Sequence, residues 1–599
     1  MRPRSRKSTL STDQLQLDFG ALAMASTADP ATPLPAARLE IPTGPLDERF
    51  AELMARLDGG SNPVLASAAR AVSAWRAAGH ICFPLGKLFP GSHSATFTLL
   101  ESKVVGRPGE WKPLVLDEAG RLYLQRYWQY ETQLTAVIRQ RLEGFPPKYD
   151  PELLQRGLDA WFDAPPSEQR AAAQAAITSN FCVITGGPGT GKTRTVAGIL
   201  ALLHAQTTAA GKEAHIALSA PTGKAAARMT ESIRQVLQQF PDSPFPSKNA
   251  EAVTLHRLLG ITPDSPIPRF DAKHPLPVEA VIVDEASMID LALMAKLFSA
   301  VPVSARIILL GDKDQLASVE AGHVLGDICG AGKSNARLGH RIVELQKSYR
   351  FLSGGGIYEL GRKINAGEVN ELLEFLRHPP PGIASLSIPA ADAMPRLIRD
   401  RAAAGFRSML EAGNPLDSLR ALHEFRILCA VRQGRQGVLA LNALCEQALA
   451  KERLIVPGAL HYHGRPIMIL RNDYTLRLFN GDTGILLRDP ESDGELRAFF
   501  LNQDGTLRTL SPARLPEHET VWAMTIHKSQ GSEFNQVLIV LPDRDSDLLT
   551  RELIYTAITR AKSAVELWCD EAILRQVIAR RTERFSGLED KLSENSKLE

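Results

Sequence analysis

The chain has 599 residues, six cysteines and a formal net charge of +2. At ~100–200 residues per domain the length implies three or four domains, and the near-zero charge excludes a binder that works by bulk positive charge, though not a groove lined locally with arginine and lysine. Cys82, Cys182, Cys329, Cys429, Cys445 and Cys569 are scattered without a Cys-x-x-Cys, which argues against a disulfide framework or zinc site, and no apolar run reaches the ~18–20 residues of a membrane span, so a cytoplasmic chain is expected.

Residues 1–45 are rich in Ala, Pro, Ser and Thr and read as a disordered tail. The apolar stretch 19–25 is too short for a signal sequence. Within the tail, Gln14-Leu-Gln-Leu-Asp-Phe19 resembles peptides that dock on the bacterial sliding clamp. Residues 46–164 show helical periodicity with interspersed aromatics (Trp75, Trp111, Tyr123, Tyr127, Trp128, Tyr130) and are expected to form a mostly helical N-terminal domain, the expected surface for partner subunits. The Pro165-Pro166 pair marks a linker.

From 165 to 350, strand-like runs alternate with helical stretches: Phe181–Thr185, Ile216–Ala220, Ala280–Val283 and Arg306–Leu310. That alternation predicts a parallel sheet with helices on both faces. A second core, 351–599, carries Arg426–Ala430, Val537–Val540 and Ala564–Trp568. Two insertions are expected within it, one around Pro379-Pro380-Pro381 and one of small β-structure at about 455–515. In the latter, Asn480-Gly481 between apolar runs signals a hairpin. No internal repeat is evident. The expected fold class is therefore α/β, with two parallel-sheet cores.

The chemistry starts after the first buried strand. Gly186-Gly-Pro-Gly-Thr-Gly-Lys192-Thr193 follows Phe181–Thr185 and opens a helical stretch, which is the strand–loop–helix context of a P-loop. Gly186, Gly187, Pro188, Gly189, Thr190 and Gly191 would let backbone N–H groups turn toward the phosphates of ATP. Lys192 would reach the β- and γ-phosphates, and Thr193 would hold Mg²⁺. Ala280–Val283 ends in Asp284 and Glu285, the first suited to Mg²⁺ and the second to orienting the attacking water. Leu310-Gly-Asp-Lys-Asp-Gln315 puts Gln315 where it could sense the γ-phosphate. Lys224 and Arg228, in Ala220-Pro-Thr-Gly-Lys224-Ala-Ala-Ala-Arg228, could pair with a nucleic-acid backbone.

Two further stretches, Thr525-Ile-His-Lys-Ser-Gln-Gly531-Ser-Glu533-Phe and Tyr555-Thr-Ala-Ile-Thr-Arg560-Ala-Lys562, complete a set that resembles superfamily 1 helicases in content and order. The resemblance implies two RecA-like cores and specific roles. Gln169 would read adenine, and Glu533 the ribose. Arg350 and Arg560 would reach the γ-phosphate when the cleft closes. Pro221, Thr222, Lys224, Thr525, His527 and Lys528 would line the single-strand groove.

Thr254-Leu-His-Arg-Leu-Leu-Gly260, Gly464 to Asp473, Leu478 to Gly484 and Arg121 to Glu131 narrow the likeness to the RecD family, alpha subunits of exodeoxyribonuclease V. That family implies a nucleoid-associated 5′-to-3′ DNA motor in recombinational repair of double-strand breaks, held in a heterotrimer with RecB-like and RecC-like subunits. No carboxylate–lysine nuclease cluster is evident here, so cleavage would belong to a partner. The alternatives are a standalone RecD-like helicase, which would carry a longer N-terminal extension, and an inactive scaffold, against which Lys192, Glu285 and Arg560 speak.

Overall fold

The computed structural model describes residues 43–60, 62–241, 243–262, 265–347, 355–458, 460–473, 475–502 and 505–593. The clamp-like string Gln14–Phe19 and the expected arginine finger Arg350 lie outside these residues.

The N-terminal domain is mainly helical, as expected. Pro45–Asp58 starts with proline in its first turn, and the Asp47 carboxylate accepts the Gly44 N–H at 2.8 Å; Asn62 caps Pro63–Ala77 by accepting the Leu65 N–H at 3.1 Å. A small sheet accompanies the helices, in the order Cys82–Pro84, Arg121–Leu124, Leu114–Leu116, Val105–Gly106.

The expected boundary at 164 does not hold. The helix Gln125–Glu143 lies on the first core, where Trp128, Leu134 and Ile138 share a cluster with Phe181 and Val281. Helix Pro151–Trp161 buries Leu154, Leu158 and Trp161 against the opposite face of the same sheet. Apolar faces on both helices leave them no other place to go. Arg141 fixes the first of these helices. Its guanidinium donates to the carbonyls of Ala305 (2.6 Å), Val301 (2.7 Å), Pro302 (2.9 Å) and Asn180 (3.3 Å). Arg141→Met would strip the Ala305 and Val301 carbonyls of this donor, whereas Asn180 and Pro302 still accept the N–H groups of Ile307 and Ala305; an expected loss of about 3 kcal/mol follows. Urea unfolding followed by Trp128 fluorescence checks this, and an unchanged midpoint would refute it.

The first core has six parallel strands in the order Ile342–Leu345, Phe181–Gly186, Arg306–Gly311, Ala280–Val283, Ile216–Ala220, Ala252–Thr254. The second has five, also parallel: Ile383–Leu386, Ala561–Trp568, Phe534–Val540, Phe425–Cys429, Ala523–Thr525. Their near-continuous apolar runs reflect cover on both faces. Because the strands are parallel, all their C-terminal ends open on one edge. The sequence motifs follow those ends: 186, 220, 283 and 311.

The insertion is a five-stranded antiparallel sheet in the order Leu507–Leu510, Glu495–Leu501, Thr483–Asp489, Arg465–Ile469, His518–Thr520, so it extends to 520. The hairpin expected at Asn480-Gly481 forms, with a loop longer than two residues. Arg465–Ile469 and Thr483–Asp489 pair, and residues 470–482 make an excursion between them. Gly481, at φ +92°, closes it by donating to the Ile469 carbonyl at 2.9 Å.

The proline run is not an insertion either. Lacking N–H groups, Pro379–Pro381 end the helix Val369–Arg377 and turn the chain into the edge strand Ile383–Leu386.

Residues 584–593 leave the second core, to which Thr582 is still tied through Thr550 and Glu552. They cross to the N-terminal domain, where the N–H groups of Ile81 and Cys82 donate to the Phe585 carbonyl at 2.8 and 3.3 Å. The helix Leu588–Leu592 is buried in the cluster of the first core. Lys591 pairs with the fully buried Glu131 at 2.9 Å and lies over the Trp128 ring. No helix among the described residues is long and apolar enough to cross a membrane.

Candidate functional site

Phe181–Gly186 is buried throughout and delivers the glycine loop to the N-terminus of the helix Lys192–Ala209. Gly189 and Gly191 adopt φ of +77° and +83°, where a side chain is strained. At Gly186 a Cβ would come within 2.8 Å of the Leu345 carbonyl oxygen. The Lys192 ammonium is gathered into this loop, donating to the carbonyls of Gly186 (2.5 Å) and Gly187 (3.0 Å). Gln169 is buried in the helix Glu168–Thr178, and its amide donates to the Thr190 carbonyl at 3.2 Å. It therefore braces the loop from behind.

Pro188, Gly189, Gly191, Lys192 and Thr193 line a cavity together with Asp284, Glu285, Asp312 and Gln315 from the neighbouring strand ends. Asp284 accepts the Glu285 N–H at 2.8 Å. Burial, reinforced by the Glu285 charge and opposed by Lys192, pushes its carboxyl up to about 6. Glu285 sits at φ +52°, an uncommon backbone for a non-glycine residue. Burial also raises Asp312, against the pull of Lys192. Asp312 accepts from Gln315 Nε2 and from Tyr555 Oη, both at 3.0 Å.

The second core completes the cavity with Glu533 and Arg560. Arg560 is almost fully buried. Its fork donates to the carbonyls of Thr556 (3.1 Å) and Ser532 (3.3 Å) and to Thr559 Oγ1 (3.4 Å). It was expected to arrive only on cleft closure, yet it already shares the cavity with Lys192.

Arg228, expected on the nucleic-acid side, also lines the cavity and pairs with Glu533 at 2.6 Å. It lies one turn along the helix from Lys224, on the same face, and its longer fork reaches the cavity. Asp312, Tyr555 and Thr556 lie within the sequence motifs, but no role follows from their order in the chain. Their significance is the pairing across the two cores, where Thr556 Oγ1 also accepts the Leu316 N–H at 2.9 Å. Residue spacing carries no signal of that.

Of the expected groove residues, Pro221, Thr222 and Lys224 start the helix Gly223–Gln238, which Thr222 caps by accepting the Ala225 N–H at 3.2 Å. Thr525, His527 and Lys528 lie on the turn before Gly531, where Thr525 Oγ1 accepts the Lys528 N–H. The two groups meet, because a Cβ on Gly531 would stand 3.7 Å from that of Ala225.

Their lysines are engaged by the insertion. Lys528 pairs with Glu519 at 2.7 Å. Phe479 covers Gly223, and Lys224 beside it feels the Asp482 charge. Burial, then Arg426, still hold Lys224 down to about 8. His527 is half-buried, with its proton affinity lowered by burial and secondarily by Arg584.

Comparison with known proteins bears on this arrangement. Residues 169–321 match the AAA domain family, 520–567 the UvrD-like helicase C-terminal domain, and 43–96 the N-terminal domain of RecBCD enzyme subunit RecD. The chain is 42% identical over 486 residues to RecBCD enzyme subunit RecD of Mycobacterium tuberculosis H37Rv, covering 79% of this chain and 80% of that protein. It is 34% identical to the Haemophilus influenzae RecD, covering 78% and 80%. The ATP-dependent RecD2 DNA helicase of Deinococcus radiodurans is 30% identical over 75% of this chain, but only 56% of that protein is covered. A crystal structure of Bacteroides Pif1 bound to single-stranded DNA aligns at 19% identity and a TM-score of 0.37, covering 69% of this chain and 94% of that one.

Proposed function

The chain belongs to the RecD family of superfamily 1 ATP-dependent DNA helicases, and from that premise we propose that it is the 5′-to-3′ motor of a RecBCD-type helicase–nuclease at broken DNA ends, partnered by RecB-like and RecC-like subunits. One observation carries the assignment of the motor site. The P-loop, Asp284, Glu285 and Gln315 of one core share a single cavity with Glu533 and Arg560 of the other. A nucleotide bound there touches both cores, so its hydrolysis changes how they sit together.

In this reading Lys192 and the backbone N–H groups of Gly187 and of 189–193 hold the phosphates. Glu285 orients the attacking water, Gln315 senses the terminal phosphate, and Arg560 stabilises the charge that develops on it. Gln169 keeps the loop in shape behind the adenine end. Glu533 serves the ribose side. The donor set fits Mg²⁺. Thr193 offers a hydroxyl, and Asp284 a carboxyl whose proton affinity is raised by burial and, secondarily, by Glu285. When bound, the ion neutralises phosphate charge.

Segments 221–224 and 525–528 hold the strand. The apolar outer face of Pro45–Asp58, with Leu46 and Leu57 exposed, suits partner contact by the N-terminal domain.

A standalone helicase is the second reading. The identity to the M. tuberculosis RecD, 42% against 30% for the RecD2 relative, favours the subunit. The test is co-purification with two large partners followed by unwinding assays. Unwinding of a 5′-overhang duplex, absence of unwinding on a 3′-overhang when the partner motor is inactivated, and ATPase stimulated by single-stranded DNA are expected. Hydrolysis indifferent to DNA in the reconstituted complex would defeat the motor reading, and full activity of the isolated chain would favour the standalone one.

A further inference from the structure

Lys224 and Arg228 are one turn apart on the helix Gly223–Gln238 but meet different parts of the molecule. Lys224 faces the β-insertion. Arg228 reaches the cavity shared by Lys192, Asp284, Glu285 and Arg560. There its guanidinium stands 2.6 Å from a Glu533 carboxylate oxygen, and the Glu533 side chain is only 10% exposed. Asp284 and Glu285 add to the negative potential around the guanidinium. Two residues before Glu533, Gly531 rests on Ala225 of the same helix. The Arg228–Glu533 pair thus crosses from one core to the other, with the nucleotide cavity on one side and segments 221–225 and 525–531 on the other.

We propose that Arg228 is a positioning residue that responds to nucleotide: the terminal phosphate competes with Glu533 for its guanidinium, and the exchange resets how firmly segment 525–531 is held against the helix Gly223–Gln238. Guanidinium presents the same planar fork to a carboxylate as to a phosphate, so the two are direct competitors. With its carboxylate buried, the pair resists simple breakage, because that would strand the Glu533 charge. Exchange avoids that cost on both sides. Arg228 gains a phosphate oxyanion in place of the carboxylate, and Glu533 retains Lys562, whose ammonium lies 4.0 Å away. Two alternative partners give this junction two discrete arrangements, which coupling between sites requires. The proposal rests on the cavity being the ATP site.

The test compares the affinity of the full chain for a labelled single-stranded oligonucleotide without nucleotide and at saturating non-hydrolysable ATP analogue. For the wild type a nucleotide-dependent shift of about tenfold is expected. Arg228→Gln and Glu533→Gln are each expected to reduce the shift to less than about twofold, because either breaks the exchange. Arg228→Lys, which keeps charge but not the fork, should give an intermediate shift.

A residue that merely helped bind ATP would raise the analogue concentration needed for saturation and leave the saturated shift intact. A wild-type shift in Arg228→Gln therefore overturns the proposal. If Arg228→Gln melts markedly lower than wild type, Arg228→Lys and Glu533→Gln decide by the same criterion. A wild type whose ATPase ignores single-stranded DNA removes the reading of the cavity itself, whereas a DNA-stimulated wild type with an unchanged Arg228→Gln shift removes this proposal alone.

Discussion

Replacement of Arg560 by lysine is expected to lower kcat for ATP about a thousandfold while analogue binding changes only severalfold. A thousandfold is about 4 kcal/mol of transition-state stabilisation. Lysine keeps the charge, so bulk electrostatics would forecast a small effect. The surroundings of Arg560 argue otherwise. Its three fork contacts, to Thr556, Ser532 and Thr559, aim the group into the cavity, and a single ammonium cannot keep that geometry. Steady-state hydrolysis with saturating single-stranded DNA gives kcat, and titration with a fluorescent nucleotide gives affinity. A kcat within tenfold of wild type would show that position 560 supplies charge alone, or none.

Glu285→Gln is expected to bind ATP as well as or better than wild type and to hydrolyse it about a thousandfold more slowly. The substitution keeps size and shape and removes one charge beside Asp284, whose carboxyl is raised in part by that charge. Phosphate binding gains from the lost repulsion, whereas the oriented water loses its acceptor. The backbone at 285 lies in the left-handed region for either side chain, so strain is equal in both proteins. Single-turnover hydrolysis separates the chemical step from binding. Normal single-turnover rates would exclude a role for Glu285 in activating water.

Both substitutions act on a cavity whose halves are already linked. Tyr555 and Thr556 of the second core bond to Asp312 and Leu316 of the first, and Gln530 Nε2 donates to the Leu316 carbonyl at 3.3 Å. Asp312 also receives Gln315, so the residue placed to sense phosphate shares an acceptor with the opposite core. Movement of either core changes what Asp312 can bind. In the proposed motor, such movement would relay a change of nucleotide to the turn at 525–531.

Much of this protein is legible in its linear order. Ile216–Ala220 and Ala280–Val283 occur as strands at the residues their apolar patterns marked, because strands covered on both faces must be continuously apolar. The P-loop, Asp284 and Glu285 follow from strand–loop–helix order, because phosphate binding needs backbone N–H groups and small residues at one strand end.

The short strands Ala252–Thr254, Ile342–Leu345, Ile383–Leu386 and Ala523–Thr525 had no such pattern. Each is held by pairing with a distant neighbour, a property of the sheet rather than of the segment. The domain boundaries fail for a related reason. Helix Gln125–Glu143 and residues 584–593 cover the first core through contacts separated by hundreds of residues, such as Glu131 with Lys591.

The chemistry of the nucleotide loop was thus determined by local residue order, since its groups come from one stretch of backbone. Which cation meets which anion across the cleft was decided only by the tertiary structure. Arg228 with Glu533 and Tyr555 with Asp312 lie on different cores, and only the stacking of the two sheets sets the distance between them.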